Sequence, residues 1–152
     1  MYEAKLELVH LDLVSLQTLD GSCFSDAYPS DLWQSYLDRP QRFYIRGLIE
    51  QHKLVGFLCF SVLQPEAELI RVGILPEFRS LGFALKGIRA AQEDLSGRAI
   101  ERFLLEVRES NMAARKLYHR LGYVNDGRRP RYYPGEPGQP AEDALLMSLD
   151  LK

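Results

Sequence analysis

Leu69-Ile70-Arg71-Val72-Gly73-Ile74-Leu75-Pro76-Glu77-Phe78-Arg79-Ser80-Leu81-Gly82-Phe83-Ala84 is the stretch on which the fold turns. Its first half is a β-rich run that stops at Pro76, which cannot donate to a sheet ladder. Its second half is a Gly-containing loop that opens a helix over about 83–95, closed near Gly97. A strand, a tight turn and a helix start leave the backbone N–H groups of residues 80–85 unpaired at a positive helix end, which suits a pyrophosphate. Gly82 lets the backbone approach such an anion closely, and Arg79 adds charge at its edge. Any strand-loop-helix junction contains a glycine, so these residues alone leave anion binding open against a plain structural turn.

Working upstream, 43–50, 53–63 and 67–75 are β-rich runs separated by Gln51-His52 and Gln64-Pro65-Glu66, the pattern of an antiparallel meander. Before them, 6–13 predicts a short strand and 15–19 a helix. Ser30 or Asp31 is the expected N-cap of a second helix carrying Leu32, Trp33, Tyr36 and Leu37, which Pro40 stops. Downstream, 102–109 is apolar on both faces through Phe103, Leu104, Leu105 and Val107, as expected of a strand near the middle of a sheet. Ser110-Asn111 caps a helix whose Ala114, Leu117, Tyr118 and Leu121 share one stripe, with Gly122 as its stop. Four prolines at 130, 134, 137 and 140, with Gly135 and Gly138, predict a long loop before a last strand over 144–151. There is no internal repeat, and the expectation is one α/β domain over residues 1–152.

Composition bounds the function. A chain of 152 residues, 46% hydrophobic and 26% charged, has the make-up of an ordinary soluble globular protein. At this size roughly 69% of the surface is buried on folding, enough for a core without metals or disulfides. Lys+Arg 19 against Asp+Glu 21 gives a net charge of -2, which argues against a wholesale nucleic-acid binder, local basic patches aside. Cys23 and Cys59 form no metal or redox spacing and are expected as free or buried thiols of a reducing compartment. His10, His52 and His119 are scattered, so no metal site is expected. The start, MYEAKLELVHLDL, interleaves acids and bases and does not resemble a signal peptide, and no stretch approaches 18 apolar residues. The expected location is the cytoplasm.

Glu106 interrupts an apolar strand, and a carboxylate there needs a partner or water. A salt bridge to a neighbouring arginine is one answer and a chemical role is the other. Tyr118, beside Leu117 and Leu121, is either a core tyrosine with a satisfied hydroxyl or a proton donor.

Taken together these segments resemble the GCN5-related N-acetyltransferases (GNAT). Arg79-Ser80-Leu81-Gly82-Phe83-Ala84 matches that family's Q/R-x-x-G-x-G/A signature. Glu106-Val107-Arg108-Glu109-Ser110-Asn111 with Leu117-Tyr118 and Leu121-Gly122-Tyr123 is similar to its second hallmark, in the form found in RimI-type ribosomal-protein alanine N-acetyltransferases. Arg131-Tyr132-Tyr133-Pro134 and Glu142-Asp143-Ala144-Leu145-Leu146-Met147 resemble the same subfamily's closing segment, so that the likeness spans about 43–150. It departs at Ser80, where a basic residue is usual, at Ala84 for Gly, at Gly87 for a core leucine and at Gly73 for Ala. These bear on cofactor affinity more than on cofactor identity.

The resemblance implies a mixed, mostly antiparallel sheet whose fourth and fifth strands splay apart around acetyl-CoA. Val72, Gly73 and Ile74 would pair with the pantetheine arm, and Arg79, Ser80, Leu81, Gly82, Phe83, Ala84 and Leu85 would hold the pyrophosphate. Asn111 would contact the cofactor near its pantetheine. It further implies direct attack of an amine on the thioester, without metal or acyl-enzyme, with Glu106 as base and Tyr118 as acid. A glutamate serving this purpose calls for a water relay or an apolar setting around its carboxyl. The implied acceptor is a protein N-terminal α-amine, in particular the N-terminal Ala of a ribosomal protein. A small-molecule amine or protein lysine, or an idle CoA-binding interaction module, are the competing readings. Tyr132 and Tyr133 either close over the acceptor peptide or cap a hairpin. The oligomeric state is left open.

Overall fold

The computed structural model describes residues 6–151; the first five residues of the start segment examined for a leader lie outside them. The chain runs β1 (Glu7–Val9), α1 (Leu13–Cys23), α2 (Ser30–Leu37), β2 (Phe43–Glu50), β3 (Lys53–Leu63), β4 (Glu66–Ile74), a 3-10 turn (Pro76–Phe78), α3 (Phe83–Ser96), β5 (Arg102–Arg108), α4 (Met112–Arg120), β6 (Val124–Tyr133) and β7 (Glu142–Asp150). The strands form one seven-stranded sheet in the order β1-β2-β3-β4-β5-β7-β6. Every neighbouring pair is antiparallel except β4 and β5.

That exception creates the site. β4 and β5 pair only from Glu66 opposite Arg102 to Leu69 opposite Leu105. Beyond Leu69, β4 stays paired to β3 as far as Ile74 opposite Gly56, while β5 stays paired to β7 as far as Arg108 opposite Ala144. Each strand keeps its outer neighbour and loses the other, so a gap opens between them. The ladder of β3 and β4 steps from Cys59–Arg71 to Phe60–Leu69, which leaves Ile70 as the extra residue of a bulge. A bulge bends and twists the strand that carries it, and this one lies where β4 parts from β5.

Apolar side chains fill both faces of the sheet. On one face α3 and α4 bring Ile88, Ala91, Leu95, Tyr118 and Leu121 against Leu48, Phe60, Phe103 and Met147. On the other α1 and α2 bring Leu16, Leu19 and Trp33 against Ile45, Phe57 and Cys59. Gly87 belongs to the first face: a Cβ there would lie 2.7 Å from Leu48, so Leu48 occupies the volume that a larger residue on α3 would take. The departure at Gly87 is therefore a matter of core packing.

Several expected boundaries move. The helix expected at 15–19 begins at Leu13, because the Asp12 carboxylate accepts the Ser15 N–H at 2.8 Å and caps it; the same hydrogen bond lowers the Asp12 pKa. The N-cap of α2 is Pro29 rather than Ser30 or Asp31, and Asp31 lies in the first turn. The larger correction is the proline-rich tail: 124–133 is a strand, and only about 134–141 is loop. β6 is the outermost strand and is paired only to β7, a position in which Pro130 removes no interior ladder bond. Asn111 does cap α4, accepting the Ala114 N–H at 3.2 Å, and Gly122 follows that helix at φ 97°. Cys23 and Cys59 are both free thiols, the second fully buried.

Candidate functional site

The gap between β4 and β5 opens into a groove of about 570 Å³, floored by the end of β4 and walled by the start of α3 and by α4. Val72, Gly73, Ile74, Arg79, Ser80, Gly82, Phe83, Ala84, Leu85, Asn111 and Tyr118 all line it. Gly73 O faces Gly56 of β3, and the Leu75 N–H donates to Val55 O at 2.8 Å. By the two-residue alternation of a strand, the polar groups of Val72 and Ile74 then face the gap. They form a strand edge that β5 leaves unpaired.

At the far end of that edge Gly82 holds φ 85° and caps α3, which leaves the first-turn N–H groups directed at the groove. A Cβ on Gly82 meets nothing within 4 Å, but at φ 85° any side chain strains the turn, so a substitution acts on the helix start through the backbone as well as through bulk. Gly82→Val is expected to raise the dissociation constant for CoA at least tenfold, about 1.4 kcal/mol. Calorimetry checks this, and unchanged binding would contradict the placement.

Two of the sequence-derived cofactor residues behave differently from expectation. The Leu81 side chain is 60% exposed and outside the groove lining, which leaves only its backbone to serve an anion. Arg79 lines the groove, but its guanidinium turns back: Nε donates to Ile74 O at 2.9 Å and Nη2 to Cys23 O at 3.3 Å. It fastens the end of β4 to the end of α1, and one of the carbonyls expected to meet the pantetheine is occupied by it.

Tyr118 is buried in the wall made by α4, its ring 5.9 Å from that of Tyr123. Burial pushes its hydroxyl up to about 12, with a smaller push from the neighbouring Tyr133. The phenol is therefore a proton donor throughout the physiological range. The hydroxyl takes no hydrogen bond from another described side chain, and it is not among the buried polar atoms cut off from solvent.

Glu106 projects from β5 just past the last residue paired to β4. Its Oε1 lies 3.2 Å from Nε of Arg129 on β6, with the Glu106 side chain about one quarter exposed. The salt bridge to an arginine that the sequence allowed is present, the carboxyl keeps partial access to water, and Glu106 lies outside the groove lining. The arginine comes from across the sheet, because the order β5-β7-β6 brings β6 within reach.

Sequence reasoning missed several neighbours. Cys23 and Phe24, from the end of α1, form one wall of the groove, and Ala113, Ala114, Leu117 and Arg120 extend the wall made by α4. Gly73 is what admits the first of these walls, since a Cβ there would meet Phe57, Phe24 and Cys23 at 2.8 to 3.0 Å. Glu68 on β4 is half-buried, and its pKa is raised by burial and then by the charge of Glu106. Tyr133 stacks under the Arg108 guanidinium at 4.1 Å, and its pKa is raised by burial and by Glu106. Its charge also contributes to the raised pKa of Tyr118. Tyr132 is half exposed beside it.

The hairpin of β6 and β7 is tied to the turn after β5. Glu142 accepts the Ser110 N–H at 2.6 Å, which holds its carboxyl below the usual range. Arg128 bridges Glu109 at 2.9 Å and Asp143 at 2.6 Å. Among the described residues no cluster of three or more His, Cys, Asp or Glu is arranged to hold a metal ion. No helix among them is long and apolar enough to cross a membrane.

A splayed β4–β5 gap, an exposed strand edge and a helix N-terminus at its end define the class of acyl-CoA-dependent N-acetyltransferases. Residues 11–123 match the family described as Acetyltransferase (GNAT) family, and the chain belongs to it. The "[Ribosomal protein bS18]-alanine N-acetyltransferase" of Haemophilus ducreyi is 36% identical over 102 residues, 67% of this chain and 70% of that protein. The protein of the same name from Escherichia coli (strain K12) is 31% identical over 111 residues, 73% of this chain and 74% of that one. Among solved structures, the ribosomal-protein-S18-alanine N-acetyltransferase from Escherichia coli superposes with a TM-score of 0.83 at 24% identity, covering 97% of this chain and 94% of that chain.

Proposed function

We propose that this enzyme transfers the acetyl group of acetyl-CoA to the free α-amine of a protein N-terminus, in particular the N-terminal Ala of a ribosomal protein, as a single-domain cytoplasmic enzyme. The observation that supports the reading is the groove at the β4–β5 split, with Tyr118 in its lining and Glu106 on β5 where the split begins, in a chain whose 31–36% identical relatives bear that activity in their names.

Val72 and Ile74 hold the pantetheine arm along the open edge, the α3 N-terminus and Gly82 hold the pyrophosphate, and Asn111 sits beside the arm. The acceptor enters from the side of the β6–β7 hairpin, where Glu106 and Tyr133 are partly open to solvent. An α-amine has a pKa of about 7.7–8.0, so only roughly a tenth is neutral at pH 7 and a base has modest work to do. Glu106 takes that proton, through water, and the neutral amine attacks the thioester carbonyl. The C–N bond forms, the C–S bond breaks, Tyr118 gives its proton to the departing thiolate, and the proton shed by the new amide nitrogen passes through water to restore the phenol. Tyr133 then lines the acceptor's path, and Tyr132 caps the hairpin.

Physically, an α-amine is about two and a half pKa units less basic than a lysine side chain and reaches its neutral form more readily. Steady-state kcat/KM over matched peptides tests the assignment: a free Ala terminus, a blocked terminus with an internal Lys, and a polyamine. The Ala terminus is expected to win by at least tenfold. Preference for the lysine or the polyamine would reject the N-terminal acceptor, and no transfer to any of them would reject catalysis.

A further inference from the structure

β1 covers only half of β2. Its last pair is Val9 with Gly47, after which the chain turns away through His10 and Leu11 to start α1. From Phe43 to Arg46, β2 has β3 on one side and no strand on the other. The Arg42 carbonyl faces β3, where it accepts the Val62 N–H at 2.7 Å, so the polar groups of Phe43 and Ile45 face the uncovered side. There the Ile45 carbonyl is masked by a side chain in place of a strand: Arg46 Nη1 donates to it at 2.8 Å.

A cavity of about 600 Å³ runs along this edge, and its two sides differ. On the face of the sheet covered by α1 and α2 it is apolar, lined by Leu11, Leu37, Phe43 and Ile45. On the α3 face it is cationic, lined by Arg46 and Arg98, whose guanidinium carbons lie 4.0 and 5.3 Å from the Tyr44 ring centroid. The neighbouring carboxylates are engaged. Asp12 caps α1, and Asp94 accepts the Tyr44 hydroxyl at 2.6 Å and pairs with Arg98 at 3.6 Å. Arg46 forms no ion pair among the described residues, and His10 adds another basic group to the lining.

Successive side chains of an extended segment laid on this edge point to opposite faces of the sheet. A segment that alternates apolar and acidic residues therefore meets the apolar side with one set and the arginines with the other. A carboxylate is also a stronger partner for Arg46 than the carbonyl it now covers. Nucleic acid fits less well, because the one aromatic ring in the lining, Phe43, is already stacked on Tyr36 at 3.9 Å and flanked by Arg39 and Arg42.

We propose that the uncovered half of β2 is a docking edge for an extended segment of a partner protein in which acidic and apolar residues alternate. The segment adds to the sheet in line with β1, and Arg46 leaves the Ile45 carbonyl to meet its acid. Charged side chains commonly blunt sheet edges; this one also selects which strand passes. The acetyl-CoA groove lies on the far side of β3 and β4, so docking is independent of the cofactor and of the acceptor reading.

The probe is fluorescein-labelled Glu-Val-Glu-Val-Glu-Val, titrated with the full chain at low ionic strength and read by anisotropy. It is expected to bind at least about tenfold tighter than the block peptide Glu-Glu-Glu-Val-Val-Val, a Lys-Val repeat or an oligouridylate. N-methylating the valines or, separately, the glutamates blocks N–H groups on opposite edges of the peptide strand. One set is expected to weaken binding at least about tenfold and the other less than about twofold. Arg46→Gln and Arg98→Gln are each expected to weaken it at least about fivefold, and saturating CoA to leave it unchanged.

Equal binding of the alternating and block peptides, or equal effects of the two N-methylated sets, would overturn docking as a strand. Tighter binding of the oligouridylate would overturn the protein partner in favour of nucleic acid. Competition by CoA would put the peptide in the cofactor groove, and no binding of the alternating peptide up to about 1 mM would reject the site.

Discussion

Tyr118→Phe is expected to lower turnover by roughly 10² or more while leaving the melting temperature nearly unchanged. The ring keeps its place beside Tyr123 and Leu121, and the hydroxyl it loses makes no hydrogen bond among the described residues. Deleting such a group costs well under about 1 kcal/mol of stability. What disappears is a buried, protonated donor in the α4 wall of the groove. With its pKa pushed up to about 12 by burial, the phenol stays neutral over any ordinary assay range, so the loss should be flat between about pH 6 and about pH 9. Normal turnover of an Ala-start peptide by the Phe variant would make Tyr118 a packing residue.

Glu106→Gln is expected to reduce kcat/KM by roughly 10² or more at pH 7, and the deficit should shrink as pH rises. Below its pKa of about 7.7–8.0 the α-amine arrives protonated and needs a base; near pH 9.5 it is neutral already and the missing carboxylate matters less. Glutamine preserves the size of the side chain and an oxygen for Arg129, so the hairpin contact survives in part. A deficit of constant size across this range would assign Glu106 to holding β6 through Arg129 instead of taking a proton.

The parts of this site that follow from local chain chemistry were legible in the sequence. Pro76 and Gly82 mark the strand end and the helix start around the groove, and the period of Ala114, Leu117, Tyr118 and Leu121 places Tyr118 on the inner face of α4. Side-chain direction was not legible where the partner is distant in sequence. Arg79 reads as a phosphate ligand until α1 brings the Cys23 carbonyl beside it, and Glu106 finds Arg129 only because β7 inserts between β5 and β6. No periodicity singles out Asp20 or reveals that Trp33 and Arg71 converge on it. The strand β6 was hidden by its proline, since a proline count cannot distinguish a loop from an outer strand with one free edge.

The central claim is that one amine, the N-terminal one, receives the acetyl group. The most direct measurement is tandem mass spectrometry of a single peptide carrying both a free Ala terminus and an internal Lys, after incubation with acetyl-CoA and the enzyme. The account predicts acetyl on the Ala nitrogen with the lysine untouched, and its absence when Tyr118→Phe replaces the wild type over the same interval. Acetyl found on the lysine, with the terminus free, would contradict it.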